Sequence, residues 1–294
     1  MNINNVNTIA VHDGTFHADD VFAAAITIML NPSIKVIRTR DTQLLTSVDL
    51  RIDVGGKHCV ATGDFDHHMT GGAGKRAGGI PYAACGLIWK HYGRDLAKSD
   101  HVFEHIDRRI IQTIDAIDCG HSVGEENLPY IHYNISDAID GFNPAWNDDP
   151  PDHDAAFMRA VTFAVTILEN EIRLSRAFEN GKSYVYDAIS KSRDHRFIVL
   201  EKYCPWQDIV VRETDALYVL FPSATGDWRV RAVPERIGSY TVRKPLPKIW
   251  GGKTPEELAA ITGIPDASFC HQSLFIAGAS SREGAEKMLE LALK

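Results

Sequence analysis

The chain has 294 residues, with 31 Lys and Arg against 39 Asp and Glu, a formal net charge of −8, and 44% hydrophobic residues. That length can bury two cores, and the acidic balance argues against nonspecific wrapping of a long DNA duplex. No run approaches the roughly 18 uninterrupted apolar residues of a membrane span, and no signal-peptide pattern opens the sequence. Five separated cysteines, Cys59, Cys85, Cys119, Cys204 and Cys270, form no Cys-x-x-Cys pair. They read as small buried thiols rather than a disulfide framework or zinc knuckle, so a soluble cytoplasmic protein without a membrane partner is expected.

In chain order, Thr8 to Val11 is an apolar, β-branched run that predicts a strand. It leads into His12-Asp13-Gly14-Thr15-Phe16-His17-Ala18-Asp19-Asp20. A helix follows through Ala23, Ala24, Ile26 and Leu30, ending before Asn31-Pro32. Ile34, Val36 and Arg38 alternate as a neighbouring strand. Leu50-Arg51-Ile52 is strand-like and ends in Asp53-Val54-Gly55-Gly56, and Val60 lies shortly before Asp64-Phe65-Asp66-His67-His68. One helix fits Tyr82 to His91, stopped at Gly93, and a longer one fits His101 to Ile117. The alternation implies a parallel sheet. Gly141 to Pro151 has turn and linker chemistry, and a long helix runs from Asp152 or His153 to Gly181.

After Phe197 the pattern changes. Phe197 to Leu200, Ala216 to Phe221 and Trp228 to Val233 predict strands, with Ser223 to Asp227 turning the last two into a hairpin. A helix after Thr254-Pro255, a strand from Ser273 to Ala277 and a final helix from Arg282 complete an α+β region. The expected fold class is α/β: a parallel-sheet metal domain over 1–150, a linker helix region over 151–195 and a smaller α+β domain over 196–294.

His12 to Asp20, Asp53 to Gly56 and Asp64 to His68 each sit where a strand should end. Strand ends of an open α/β sheet converge on one crevice, so residues distant in sequence meet there. Imidazoles and carboxylates gathered in this way are the ligand set of a divalent ion such as Mn²⁺, Mg²⁺ or Zn²⁺. The adjacent His67 and His68 would be costly to bury without metal or hydrogen-bond partners. The reading is a metal-dependent hydrolase.

Other motifs fail. The segment Gly71 to Gly79 lacks the Ser or Thr and the leading glycine spacing of a nucleotide P-loop. The aspartates from Asp137 to Asp154 lack EF-hand spacing, and no nucleophile elbow supports acyl transfer.

The order of His, an acidic cluster opening a helix, a strand-end Asp and then Asp-His-His resembles the DHH phosphoesterase superfamily. The segments His12 to Asp20, Asp53 to Gly56 and Asp66 to His68 resemble more closely the melanocyte proliferating gene family, once catalogued as metal-dependent protein hydrolases. Tyr82 to Ile88, Asp115 to Asp118, Phe142 to Trp146, Cys204 to Trp206, Trp228 to Val230 and His271 to Gly284 are similar to that family as well. Two departures from the superfamily are visible: His17 stands where most members place an aspartate, and a glycine-rich run, Met69 to Gly79, follows Asp-His-His.

The resemblance implies two divalent ions, with Mn²⁺ preferred over Mg²⁺ or Zn²⁺. They would be held by His12, His17, Asp19, a bridging Asp53 and His67, with a further carboxylate from Asp115 or Asp118, Asp115 being the weak preference. Asp66 and His68 are the catalytic candidates, His68 as the phosphate-facing histidine. The implied activity is a 3′ to 5′ exonuclease on RNA or short oligonucleotides. Alternatives are a hydrolase of small phosphorylated metabolites or peptides, or a non-catalytic metal- or RNA-binding regulator. A homo-oligomer is admitted.

Charge suggests where substrate binds. Residues 1–195 hold 18 Lys and Arg against 27 Asp and Glu, while residues 196–294 hold 13 against 12. The basic run from Arg229 to Lys253 makes Arg229, Arg231 and Arg243, together with His271, Ser273 and Gly278, the expected substrate-binding set, because Arg forks match phosphate.

Overall fold

In the computed structural model residues 1–122 and 132–294 are described. The chain forms two units, Met1–Arg176 and Ala177–Lys294. In the first, the expected strands and helix appear as β1 (Thr8–Val11), α1 (Ala18–Leu30) and β2 (Lys35–Arg38). A one-turn helix, α2 (Thr42–Leu45), leads to β3 (Leu50–Ile52), β4 (His58–Cys59) and β5 (Asp64–Phe65). Val60 lies in a short 3₁₀ turn between the last two.

The strand order β2-β1-β3-β5-β4 decides where a site forms. The chain leaves β1 through α1 to one side and returns to the other side of β1 as β3. Both pairings of β1 are parallel, as is β3 with β5, while β4 is an antiparallel edge. The reversal at β1 opens a crevice at the C-terminal ends of the strands. His12 follows β1, Asp53 follows β3 and Asp66 follows β5, so three neighbouring strands deliver these residues side by side.

Helices α3 (Ala84–Ala97), α4 (Asp100–Ile106) and α5 (Gln112–Asp118) come next, α4 and α5 being joined by a π turn, Asp107–Ile111. Then follow α6 (Ile135–Asp140) and α7 (His153–Lys191). Three expectations need correction, the first being that α7 passes through Gly181 and ends only at Lys191. Helix α3 begins at Ala84 rather than Tyr82, and it passes through Gly93 to end at Ala97. Gly93 is there for space, since a Cβ would collide with the buried Trp89 ring, which stacks on Phe103 at 5.4 Å between centroids. The single helix expected over His101 to Ile117 is interrupted by the π turn. The core of this unit joins Phe16 and Phe22 to Trp89, Phe157 and Leu168.

The second unit contains β6 (Phe197–Val199), α8 (Gln207–Glu213), β7 (Tyr218–Pro222), β8 (Trp228–Ala232), α9 (Pro255–Thr262), β9 (Ala267–Cys270), β10 (Ile276–Ala279) and α10 (Arg282–Leu293). Its sheet runs β6-β7-β8-β10-β9, with only β6 and β7 parallel. The β7–β8 hairpin and both terminal helices are as expected. The strand placed at Ser273 to Ala277 instead spans Ile276–Ala279, because His271 to Phe275 makes the turn from β9. Neither β9 nor α8 was legible from periodicity. The mixed α/β class holds, and among the described residues no helix is long and apolar enough to cross a membrane.

The first turn of α3 is fixed by carboxylates. Asp19 accepts from the Ala84 and Cys85 amides at 2.9 and 2.6 Å, and Asp115 accepts from Gly86 at 2.9 Å. A methyl at Gly86 would be driven into the Asp115 carboxylate. Gly86→Ala is therefore expected to destabilise the protein by about 1–3 kcal/mol despite its better helix propensity, measured as a fall in the urea unfolding midpoint.

Candidate metal centre

Asp53 occupies the centre of the crevice in a left-handed backbone conformation, φ 55°, which is strained for a residue with a side chain. The bend turns its buried carboxylate across the strand ends. Oδ2 lies 3.4 Å from His12 Nε2, whereas Oδ1 lies 3.3 Å from His67 Nε2 and 3.3 Å from His68 Nδ1. One carboxylate thus faces two sets of imidazoles. His12 Nε2 also meets Asp20 Oδ2 at 3.3 Å. His67 Nε2 meets Asp118 Oδ2 at 3.0 Å and Asp19 Oδ2 at 3.9 Å.

These groups could hold a metal ion. Asp53, Asp66, His67 and His68 form one set of converging ligand atoms, and Asp19, His67 and Asp118 form a second that shares His67. Among the described residues the buried atoms Asp20 Oδ2, Asp53 Oδ1 and His67 Nε2 find no well-aligned hydrogen bond although charged neighbours are close. Buried polar atoms left in that state are costly unless something else satisfies them. A cation among them would do so, and the mixed nitrogen and oxygen donors fit a borderline divalent ion.

The electrostatics follow from burial. Desolvation pushes Asp19 well above the usual carboxylate range, aided by the charges of Asp53, Asp118 and Asp115. Desolvation also raises Asp20, to about 7, against the opposing pull of His12. For Asp53 desolvation is outweighed by its contacts with His12, His67 and His68, and its pKa falls below the normal value. Burial disfavours the His67 imidazolium, but Asp118 and Asp53 overcome it and lift that group to about 11. Contact with Asp53 raises His68 to about 9, with Asp66 contributing.

Asp66 orders the turn. Its Oδ1 accepts from the His67 and His68 amides at 2.7 and 3.1 Å and lies 2.9 Å from His68 Nδ1, while Oδ2 accepts from Gly56 at 2.5 Å. His17 lines the same cavity of about 760 Å³ as His12, Asp53 and His68, its ring centroid 5.8 Å from that of His12. Like His12 and Asp20 it stands outside both converging ligand sets, but unlike them it has no ion-pair contact with a carboxylate among the described residues. Asp115 is turned away toward Arg76, whose Nη1 reaches its Oδ2 at 2.5 Å. The structure therefore brings Asp118, rather than Asp115, to His67.

Residues outside the expected ligand set support the site. Asp20 combines a cap, accepting from the His17 amide at 2.9 Å, with its approach to His12. Its Asp-Asp spacing at a helix start could have signalled both roles. Asn143 both accepts from Phe16 N at 3.1 Å and donates to Phe16 O at 2.9 Å, and buried Arg38 donates to Gly14 O at 2.6 Å. These contacts pin the loop between His12 and His17 across large sequence separations, which no local pattern reveals.

The basic set expected in the second unit divides. Arg229 pairs with Asp227 and lies over the Phe269 ring at 4.4 Å. Gly278 faces it across the β8–β10 pairing, with no room for a Cβ between Arg229 and Phe269. Arg231 lines a separate cavity of about 280 Å³ with Tyr240 and Phe275. His271 packs on Phe275 at 4.4 Å and accepts the Ser273 amide at 3.0 Å. Arg243 is a correction: its guanidinium donates to the carbonyls of Val211, Thr214 and Ala216 at 2.7–2.9 Å, closing the end of α8 instead of facing outward.

An α/β unit with a buried His and Asp cluster at its switch point, followed by an α+β unit, defines a class of protein built around a candidate metal centre. Residues 8–293 match the uncharacterised protein family UPF0160. The chain is 31% identical to the MYG1 protein of Dictyostelium discoideum, covering 95% of this chain and 94% of that one. It is 31% identical to MYG1 protein C27H6.8 of Caenorhabditis elegans, over 97% and 95%, and 28% identical to the MYG1 exonuclease of Homo sapiens, over 97% and 85%. The chain belongs to this MYG1 family.

The two carboxylates of α5 separate experimentally. Asp118→Asn is expected to weaken Mn²⁺ binding by about tenfold or more with little change in folding stability. Asp115→Asn should instead lower stability by about 1–3 kcal/mol, because it removes one of the two carboxylates that pair with Arg76. Calorimetric titration of Mn²⁺ and urea unfolding of both variants provide the comparison.

Proposed function

We propose that this protein is a metal-dependent phosphodiester hydrolase, a 3′ to 5′ exonuclease on RNA or short oligonucleotides that uses two divalent ions, Mn²⁺ foremost. The observation that carries the reading is the Asp53 carboxylate, whose two oxygens face different imidazole sets beside orphaned buried atoms. The mammalian relatives named exonucleases support the choice of reaction.

His12, Asp20 and Asp53 would hold one ion, and Asp53, His67, Asp19 and Asp118 the other. Bound there, divalent ions supply an activated water and neutralise charge on the attacking and leaving oxygens of an in-line displacement. The chain's own groups do the rest. Asp66 fixes the His67-His68 turn through its backbone amides. His68 is held on one ring nitrogen by Asp53 and Asp66 while 63% of its side chain is exposed, leaving Nε2 to meet a phosphoryl oxygen. Its contact with Asp53, and then with Asp66, favours the protonated imidazole. Arg229 and Arg231 of β8 are proposed as phosphate contacts of the second unit.

A 5′-labelled RNA ladder incubated with Mn²⁺, with Mg²⁺ or with chelator tests the reaction. Progressive shortening with Mn²⁺, lost with chelator, is expected, and equal turnover in chelator would overturn the metal reading. Asp53→Asn should lower kcat on the order of 10²–10³-fold, several kcal/mol of barrier, with the unfolding midpoint retained. His68→Ala should lower kcat while Mn²⁺ content stays near that of the parent protein. Equal loss of metal would make His68 a ligand instead of a phosphate contact.

A further inference from the structure

The cavity that exposes Asp53 and His68 carries Asp19, Asp53, Asp66, Asp118, Asp137 and Asp140 on its wall, against one arginine or lysine among the described residues, Arg40. Arg40 stands two residues beyond β2, and its Nη1 donates to the Asp13 carbonyl and carboxylate, each at 2.5 Å. The same carbonyl lies 3.1 Å from His12 Nδ1, so the guanidinium is fixed one peptide oxygen away from the ligand set. Its side chain is 59% exposed, and its hydrogen bonds among the described residues all leave from Nη1. Nε and Nη2 are therefore free to meet a ligand. Thr42, with its hydroxyl, lines the cavity beside it, and Leu45 and Val54 give the wall apolar surface.

An ion pair as exposed as Arg40 with Asp13 contributes little to stability, and the bond from Nη1 to the Asp13 carbonyl uses one corner of the guanidinium only. A ligand would take the others. Ions at the ligand set would balance the charge of the phosphate being cleaved. A second phosphate of the same substrate would still face the remaining aspartates, and its entry would be opposed unless a cation met it. The arginine fork matches phosphate oxygens geometrically.

We infer that Arg40 and Thr42 form an anion subsite for a second phosphate of the substrate, next to the scissile one, so that the centre prefers ligands with two or more phosphates. This assignment rests on the hydrolase reading for its substrate but is testable without turnover. Calorimetric titration in Mn²⁺ buffer would compare a nucleoside 3′,5′-bisphosphate with a nucleoside 5′-monophosphate on the parent protein, Arg40→Gln and Arg40→Lys. Loss of a charge-assisted phosphate contact should raise the bisphosphate Kd by about tenfold or more in Arg40→Gln and by less in Arg40→Lys, with the monophosphate Kd moving less than about threefold.

Mn²⁺ affinity should be retained in both variants. An unchanged bisphosphate Kd, equal losses for both probes, or a parent protein that does not discriminate between them would overturn the subsite. A matching fall in Mn²⁺ affinity would also overturn it, by making Arg40 a positioning residue for His12 through Asp13. Failure of the labelled-RNA assay would defeat the nuclease reading and leave this binding comparison intact.

Discussion

Burying carboxylates is the constraint around which the first unit is arranged. Asp19, Asp20, Asp53, Asp66 and Asp115 all lie out of solvent, and each would lose several kcal/mol of hydration if left without partners. Each is met by donors from a different part of the fold. Asp19 takes the free amides of α3, Asp20 takes amides at the start of its own helix, Asp66 takes three amides of neighbouring turns, Asp53 takes imidazoles, and Asp115 takes Arg76 and Gly86. Backbone donors dominate because a helix start presents unsatisfied N–H groups with a favourable dipole. The partial positive charge of these amides is built into the fold and adds to the imidazoles of His12, His67 and His68 beside the same carboxylates.

That solution ties the helices to the site. Because Asp19 in α1 caps α3, the two helices cannot slide without exposing a carboxylate, and the ligand atoms of Asp19 are held by the same contact. Arg76 does the equivalent for the glycine-rich segment. Its guanidinium, nearly buried, joins Asp107 in the π turn to Asp115 in α5 and lies 4.3 Å over the Tyr82 ring. The residue that breaks the P-loop pattern is therefore the anchor of the segment, which explains why an arginine is required there. Glycines on either side of it, Gly74 and Gly79, adopt positive φ, letting the backbone fold around that anchor.

The sequence exposed those parts of the structure that depend on neighbours along the chain. The β-branched run of Thr8 to Val11, the Asp pair opening α1 and the Thr254-Pro255 helix start all carry local physics, and each formed as read. The convergence of His12, Asp53 and His67 was legible because strand-end positions in an alternating α/β pattern share a crevice. What escaped depended on contacts across long separations. Gly93 looked like a helix terminator, yet it is an opening for the Trp89 ring. Arg243 looked like an exposed cation in a basic run, yet three carbonyls around the end of α8 claim it. Short β9 and α8 lacked enough residues to display a period, and their pairing partners lie elsewhere in the chain.

Asp115 and Asp118 show the same limit within the site itself. Three residues apart on α5, they share a side of the helix, and spacing alone cannot rank them as ligands. A cation from 39 residues upstream decides the matter. Once Arg76 and the Gly86 amide occupy Asp115, its oxygens are committed to holding the helices together, and a metal taking them would leave the guanidinium buried and unpaired. Among the described residues Asp118 has no such competitor, and it lies 3.0 Å from the orphaned His67 Nε2. Two carboxylates of one short helix are thereby separated into a structural role and a candidate ligand role, and the separation is made by the segment that follows Asp-His-His.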